Sequence, residues 1–163
     1  MSFGTGHHDT TAGLIQAMLT LDFNNKKVLD AGTGTGILAI MAKKLGAKDI
    51  FAYDIDEWSY NNSKENFTLN NTLDIKIEQG DATLLAKFGK EFDVTLANIN
   101  KNVLLKDIPF FQDHMAENGY LVLSGFYEND ILDLLECCKP FGLEEKYRNV
   151  SLNNWTVLVL KKV

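Results

Sequence analysis

The chain lacks the features that mark exported and membrane proteins. Its 163 residues contain two cysteines, Cys137 and Cys138, which are adjacent and cannot form an ordinary structural disulfide with each other. No apolar run approaches the length of a membrane span, and no signal-peptide pattern opens the chain. We therefore expect a reduced, cytoplasmic protein with no membrane association.

Positive charge is also scarce. The chain has 16 Lys and Arg against 22 Asp and Glu, for a net charge of -6. Direct nucleic-acid binding needs basic residues that displace counterions, so we do not expect it, whereas a basic protein partner suits this charge. No cysteine or carboxylate cluster completes a metal site with His7 and His8, so we expect no metal. No Ser/His/Asp arrangement or G-x-S-x-G motif indicates nucleophilic hydrolysis.

Apolar strand patterns alternate with helical ones along the whole chain, without repeats or linkers. A chain of this length predicts one domain over 1–163. The order of elements predicts an α/β fold with a mostly parallel seven-stranded sheet, helices on both faces and a C-terminal antiparallel hairpin. Strands are expected at 26–30, 49–53, 73–78, 92–97, 120–123, 143–150 and 155–160. Helices are expected at 10–21, 37–45, 57–70, 102–115 (disturbed near Pro109) and 129–138.

The most informative segment is a glycine loop that follows the first strand, with Asp30, Gly32, Gly34 and Gly36. Glycines allow a tight turn and the close approach of a ligand to the backbone. Asp54 follows roughly 20 residues later, after a second apolar run, where a carboxylate takes the hydroxyls of a ribose. The sequence thus predicts a site for a nucleoside-containing cofactor.

The glycine spacing favours S-adenosylmethionine over a dinucleotide. Dinucleotide sites have G-x-G-x-x-G, whereas here the third glycine comes one residue early. Asp30 would repel a phosphate but suits the ammonium of an amino-acid-bearing ligand. We therefore assign Asp30, Gly32, Gly34 and Asp54 to a methyl-donor site.

Further polar residues follow the third and fourth strands, at the edge where ligands bind in open α/β sheets. Asp81 is a candidate acceptor for an adenine amino group, or alternatively caps the next turn. Asn98 is the candidate catalytic residue, which would orient a substrate amine beside the cofactor; turn formation is the alternative.

The N-terminal segment around Gly4 and Gly6 is expected to be a flexible lid, with a Thr11 hydroxyl near the start of the first helix. Phe3 and Trp58 are candidates to cover adenine or the entrance, although aromatic residues more often serve packing.

At the level of whole motifs, the chain resembles the bacterial methyltransferase family that modifies large-subunit ribosomal protein eleven. The matching segments run over 3–11, 28–40, 54–56 and 97–99, with Leu123-Ser124-Gly125 further on. The resemblance implies a three-layer, Rossmann-like class I methyltransferase fold and S-adenosylmethionine contacts from Thr11, Gly32, Asp54 and Asn98. It also implies protein amines as acceptors, namely lysine side chains and an α-amino group.

Three departures from this family pattern bear on the substrate. Asp9 stands where the family usually has proline, and Asn100-Lys101-Asn102 replaces small residues and adds a charge near the acceptor side. The resemblance also implies an N-terminal domain that grips the ribosomal protein, and we expect this chain to lack that domain. Three alternatives stay open: methylation of a glutamine amide, methylation of a nucleobase amine, and cofactor binding without catalysis. Families that methylate amides or nucleobases typically have Pro-Pro after the corresponding Asn or Asp, whereas Ile99 follows Asn98 here.

Overall fold

The computed structural model describes the backbone from Thr5 and the side chains from Thr11 to Val163. The helices are α1 (Thr5–Met18), α2 (Ile37–Lys44), α3 (Glu57–Leu69), α4 (Leu85–Phe88), α5 (Lys101–Asp113) and α6 (Ile131–Cys138). The strands are β1 (Lys27–Ala31), β2 (Asp49–Asp54), β3 (Lys76–Gln79), β4 (Phe92–Asn98), β5 (Met115–Tyr127), β6 (Leu143–Val150) and β7 (Trp155–Lys162). Within the described part, no helix is both long and apolar enough to cross a membrane.

The seven strands form a single sheet in the order β3-β2-β1-β4-β5-β7-β6. The first five are parallel, and β7 runs antiparallel to both β5 and β6. Each face of the sheet carries its own apolar core, one packed against α1, α2 and α3 and the other against α4, α5 and α6. The predicted α/β architecture is confirmed, including the C-terminal hairpin.

The first helix differs from the prediction, since it begins at Thr5 rather than Thr10. Thr11 therefore lies inside the helix, and the segment from Thr5 onward is not a loop; Phe3 and Gly4 lie outside the described residues. Gly13 explains how α1 packs closely on β7, because a Cβ there would lie 3.0 Å from a methyl of Val157. That tertiary contact was not visible in the local pattern.

Two other elements differ in extent. The third strand is shorter than expected, because the chain still turns at Thr72 to Ile75 before β3 begins at Lys76. The short α4 and the preceding 3-10 turn over Ala82–Leu84 were not predicted, since they are too short to show a helical period.

Helix α5 passes through Pro109 without ending. Proline has no N–H, so the carbonyl of Leu105 loses its helical donor. The Cys137 thiol of α6 lies 3.8 Å from that carbonyl oxygen and donates to it instead. The expected disturbance near Pro109 is thus absorbed by a contact between two helices.

Replacing this proline tests the account. Pro109→Ala restores a backbone donor to Leu105, and we expect it to raise the free energy of unfolding by about 1–2 kcal/mol, after the entropy that proline removes from the unfolded chain is subtracted. Urea unfolding measures the change. Cys137→Ala should then cost less stability in the Pro109→Ala background than in the unmodified chain; equal costs would contradict the compensation.

Candidate functional site

A cavity with a volume of about 760 Å³ lies beyond the carboxyl ends of the parallel strands. It sits at β1 and β4, where successive connections run to opposite sides of the sheet. Open α/β sheets bind ligands at such a point. Six of the seven residues predicted as site residues line it: Thr11, Gly32, Gly34, Asp54, Asp81 and Asn98.

The three glycines of the loop after β1 serve different purposes. All three have positive φ, between 61° and 85°. A Cβ on Gly32 would lie 2.4 Å from the Ile99 side chain, and one on Gly36 would lie 2.6 Å from the ring of Phe67. A Cβ on Gly34 would meet nothing within 4 Å. Gly32 and Gly36 therefore permit packing, whereas Gly34 faces open space.

Side chains from the next strand and helix fix the loop. The Asp54 carboxylate accepts from the backbone N–H of Gly34 at 2.9 Å and, with its other oxygen, from the N–H of Asp56 at 2.9 Å. Ser63 and Asn66 of α3 donate to the carbonyls of Gly34 and Thr35, at 2.6 and 2.8 Å. The polar face of α3 thus holds the loop from behind, a role that the sequence did not reveal.

Asp30 does not line the cavity but lies completely buried beneath the loop. One carboxylate oxygen accepts from the Thr33 hydroxyl at 2.7 Å, and the other has no hydrogen-bond partner among the residues that the structure describes. Burial raises the pKa of Asp30 to about 7, and the nearby charge of Asp54 adds to the rise, although the Thr33 bond opposes it. The position of Asp30 therefore does not support the prediction that it contacts a ligand directly.

Asp81 caps the 3-10 turn and also lines the cavity, so its position is compatible with both predictions. One carboxylate oxygen accepts from the backbone N–H and the hydroxyl of Thr83, at 3.0 and 2.6 Å. These bonds lower the pKa of Asp81, so the group is a charged acceptor at the cavity wall.

Asn98 ends β4 beside the glycine loop, and its amide makes no hydrogen bond to the described residues. The following residue, Ile99, is held tightly: its N–H donates to the Ser124 carbonyl at 3.1 Å. Gly125 leaves room for the Ile99 backbone, since a Cβ there would lie 2.6 Å from the Ile99 carbonyl oxygen. Packing thus fixes the backbone at Asn98, while its amide stays available.

Several lining residues were not predicted: Tyr53 of β2, Lys106 and Asp107 of α5, and Trp155 of β7. Trp155 stacks on Tyr127 with ring centroids 4.6 Å apart. Trp155 is distant in sequence from the glycine loop, and only the antiparallel pairing of β7 with β5 brings it to the site.

Two sequence expectations are not met in the structure. Trp58 is 55% exposed on α3 and does not line the cavity. Lys101 adds no free charge to the acceptor side, because its ammonium lies 2.5 Å from Asp133 of α6 and 3.6 Å from Asp130 just before that helix. Among the side chains that the structure describes, no group of three or more His, Cys, Asp or Glu forms a metal site.

The parallel sheet, the glycine loop after β1, the acid after β2 and the antiparallel β7 define a class I methyltransferase fold. A crystal structure of ribosomal protein L11 methylase from Lactobacillus delbrueckii subsp. bulgaricus superposes with a TM-score of 0.88 at 31% identity. The match covers 96% of this chain and 80% of that one.

The sequence comparisons define the family. The model of the ribosomal protein L11 methyltransferase family (PrmA) matches residues 1–163, and the chain belongs to this family. The Ribosomal protein L11 methyltransferases of Porphyromonas gingivalis and Bacteroides fragilis are 47% and 49% identical over 158 residues, 97% of this chain. These matches cover 54% and 56% of the relatives, so the chain spans about half of their length.

The burial of Asp30 predicts a pH-dependent stability. Its pKa is about 7 in the folded chain against 3.8 for a free side chain, so the folded state holds the proton more tightly. The contribution of Asp30 to the free energy of unfolding should therefore be greatest below about pH 4. It should fall by about 1.4 kcal/mol per pH unit as the pH rises toward 7 and then stay constant at higher pH.

We expect Asp30→Asn to remove this fall, so that its stability relative to the unmodified chain increases between pH 4.5 and 7.5. Urea unfolding across this range measures the difference. Asp113→Asn, the same change at an exposed position on α5, serves as control. Parallel pH profiles for Asp30→Asn and the unmodified chain would refute the prediction.

Proposed function

We propose that this chain is the catalytic part of a cytoplasmic S-adenosylmethionine-dependent methyltransferase that modifies amines of a basic protein, in particular large-subunit ribosomal protein L11. The observation that carries the proposal is the open space at Gly34, bordered by Asp54, in a loop whose other two glycines are closed by packing. Membership in the family supports the cofactor and the acceptor.

The residues present fit this cofactor in three respects. The space where a Cβ of Gly34 would stand is free for a ligand. The Asp30 carboxyl is buried below the loop, and a cationic ligand group nearby would favour its charged form, which burial alone disfavours. No phosphate-binding cation is required, because S-adenosylmethionine carries no phosphate.

We assign the parts of the cofactor to residues by their chemistry. Gly32, Gly34 and Thr11 would hold the amino-acid portion, Asp54 the ribose, and Asp81 the adenine amino group. Asp54 can serve the ribose although each of its oxygens already takes one backbone N–H, because a carboxylate has about four acceptor positions.

The methyl transfer needs little from the protein beyond alignment and the exclusion of water. When bound, the sulfonium supplies the methyl: a nitrogen–carbon bond forms as the sulfur–carbon bond breaks, sulfur keeps the electron pair, and the acceptor amine loses a proton to solvent. The Asn98 amide oxygen would accept a hydrogen bond from the amine and so orient the nitrogen lone pair.

The acceptor must be a neutral amine, whereas a free lysine has a pKa of about 10.4. Transfer from water into the part of the cavity lined by Ile99, Gly125 and Trp155 disfavours the ammonium. A nearby sulfonium acts in the same direction. We therefore assign no general base, and Asn98 acts as a positioning group that touches the substrate.

Recognition of the acceptor protein is proposed to be shared with sequence outside this chain. Nearly half of the length of the curated relatives has no counterpart here. The net charge of -6 of this chain favours a basic partner, and a basic ribosomal protein fits that description.

The first test of the cofactor assignment compares Gly34, which faces open space, with Gly36, which packs against Phe67. Gly34→Ala should weaken binding of S-adenosylhomocysteine at least about 10-fold with little loss of stability beyond the strain of positive φ, because its Cβ enters only the proposed ligand space. Gly36→Ala should instead lower stability, because its Cβ collides with Phe67. Calorimetric titration measures the affinity of both variants, and urea unfolding measures their stability. If the two variants lost the same affinity and had the same stability, the assignment of the ligand space to Gly34 would be contradicted.

The second test addresses transfer. Asn98→Ala should lower turnover about 10- to 100-fold, because an orienting hydrogen bond is lost, and change S-adenosylhomocysteine affinity less than about threefold. Asn102→Ala, on the exposed part of α5, is the matched control. The assay measures transfer of a labelled methyl group to purified L11, with the unmatched segment of the Porphyromonas gingivalis relative supplied separately. Unchanged turnover of Asn98→Ala would overturn its role, and binding without any transfer would favour a non-catalytic module.

A further inference from the structure

A second, smaller cavity lies next to the one assigned to the cofactor. Its volume is about 290 Å³, and it is lined by Tyr127, Glu128, Asn129 and Asn154. None of these four residues lines the larger cavity, and none takes part in the proposed transfer. The smaller cavity is therefore separate from the space that the cofactor would fill.

A stacked pair of aromatic rings connects the two cavities. Trp155 lines the larger cavity and Tyr127 lines the smaller one, and their ring centroids are 4.6 Å apart. Asn154, in the wall of the smaller cavity, directly precedes Trp155 in the chain. On the proposed function, Trp155 borders the acceptor amine. A side chain that lies close to that amine in the acceptor protein therefore meets the smaller cavity.

Backbone hydrogen bonds fix the walls of the smaller cavity relative to each other. The N–H of Glu128 donates to the Asn154 carbonyl at 3.0 Å, which joins the turn after β5 to the hairpin of β6 and β7. The N–H of Asn154 donates to the Ser151 carbonyl at 2.9 Å, and the N–H of Tyr127 donates to the Asp130 carboxylate at 3.0 Å. The smaller cavity is thus formed by the fold itself, as ligand sites usually are.

The Glu128 carboxylate forms no ion pair with the residues that the structure describes, although cations lie nearby. Arg148 donates to both carboxylate oxygens of Glu145, at 2.5 and 2.8 Å. These bonds raise the pKa of Arg148, and the charge of Glu128 makes a smaller contribution in the same direction. Lys101 is held by two carboxylates around the start of α6. The nearby cations are thus bound to other acids, and Glu128 is available to a cation from outside the chain.

The polar groups of the smaller cavity suit a basic side chain. The Glu128 carboxylate supplies negative charge, and the amide oxygens of Asn129 and Asn154 are further acceptors. A guanidinium or an ammonium carries one positive charge and several N–H donors, and both are attracted to the face of an aromatic ring such as Tyr127. An acidic or apolar side chain would gain none of these contacts.

We propose that the smaller cavity is a subsite for a second basic side chain of the acceptor protein, one to three residues from the amine that receives the methyl group. The proposal rests on the proposed function, which places that amine beside Asn98 and Trp155. An extended segment advances roughly 3.3 Å per residue, so a long basic side chain within three residues can reach past the stacked rings. The rings themselves offer little selectivity, and the subsite would favour acceptor amines in a basic context.

The experiment measures the binding of fluorescent peptides to the chain saturated with S-adenosylhomocysteine, so it requires no transfer activity. Each peptide has one lysine, with an arginine or its uncharged analogue citrulline one, two or three residues away. At the best spacing, the arginine peptide should bind about 3- to 10-fold more tightly, because it gains a charge-assisted hydrogen bond. Fluorescence anisotropy gives the dissociation constants of both peptides.

Variants of Glu128 test whether this preference arises in the smaller cavity. Glu128→Gln should remove most of the preference by weakening the binding of the arginine peptide alone, and Glu128→Lys should make the citrulline peptide the tighter ligand. Glu136→Gln makes the same change at an exposed position on α6 outside both cavities, and it should leave the preference unchanged. This control separates a local contact from general attraction by the net charge of -6.

The outcomes separate the subsite from the proposed function. If S-adenosylhomocysteine does not bind, the proposed function fails and the subsite fails with it. If it binds, but the arginine and citrulline peptides bind equally or not at all, the subsite alone is overturned. A preference that Glu128→Gln and Glu136→Gln lower alike would also overturn it, since the attraction would then belong to the whole surface.

Discussion

The site depends on how closely Ile99 packs between two glycines. Its side chain occupies the space that a Cβ on Gly32 would need, and its backbone occupies the space that a Cβ on Gly125 would need. This packing brings the ends of β1, β4 and β5 together and leaves no room for them to shift separately. The cofactor loop and Asn98 are therefore held in one fixed relation, as methyl transfer in line requires.

The same sheet edge collects acidic side chains at an energetic cost. Parallel strands end at one edge, so Asp54, Asp81 and the buried Asp30 are brought near one another, and α5 adds Asp107. Burial raises the pKa of Asp30 and of Asp107, so keeping these two side chains charged lowers stability. Among the described residues, buried oxygens of Asp30, Tyr53 and Thr95 have no hydrogen-bond partner. Polar groups that the fold itself does not satisfy are typical of functional sites.

The sequence was sufficient for the parts of the site that are local in the chain. The glycine loop, Asp54 and Asn98 could be placed because each follows an apolar run, and the sheet topology follows from the alternation of strands and helices. The positions of Tyr53 and Asp107 on the cavity wall could not be predicted, since Tyr53 lies in an apolar strand pattern and Asp107 is one polar residue among several on α5. Trp155 required the long-range register of β7, and the close packing of α1 on β7 at Gly13 required tertiary contacts.

The two ends of the cavity differ in how completely this chain builds them. Tyr53, Asp81 and Asp107 line the cavity from three segments of this chain, and each is buried or hydrogen-bonded within it. At the other end, Trp155 and the half-exposed Tyr127 form an aromatic surface that opens outward beside Asn98. Such a surface accommodates an amine stem but carries few polar groups that could distinguish one protein from another. On the proposed function, binding of the methyl donor would therefore rest on this chain, whereas recognition of the acceptor would also draw on the further sequence that the longer relatives have.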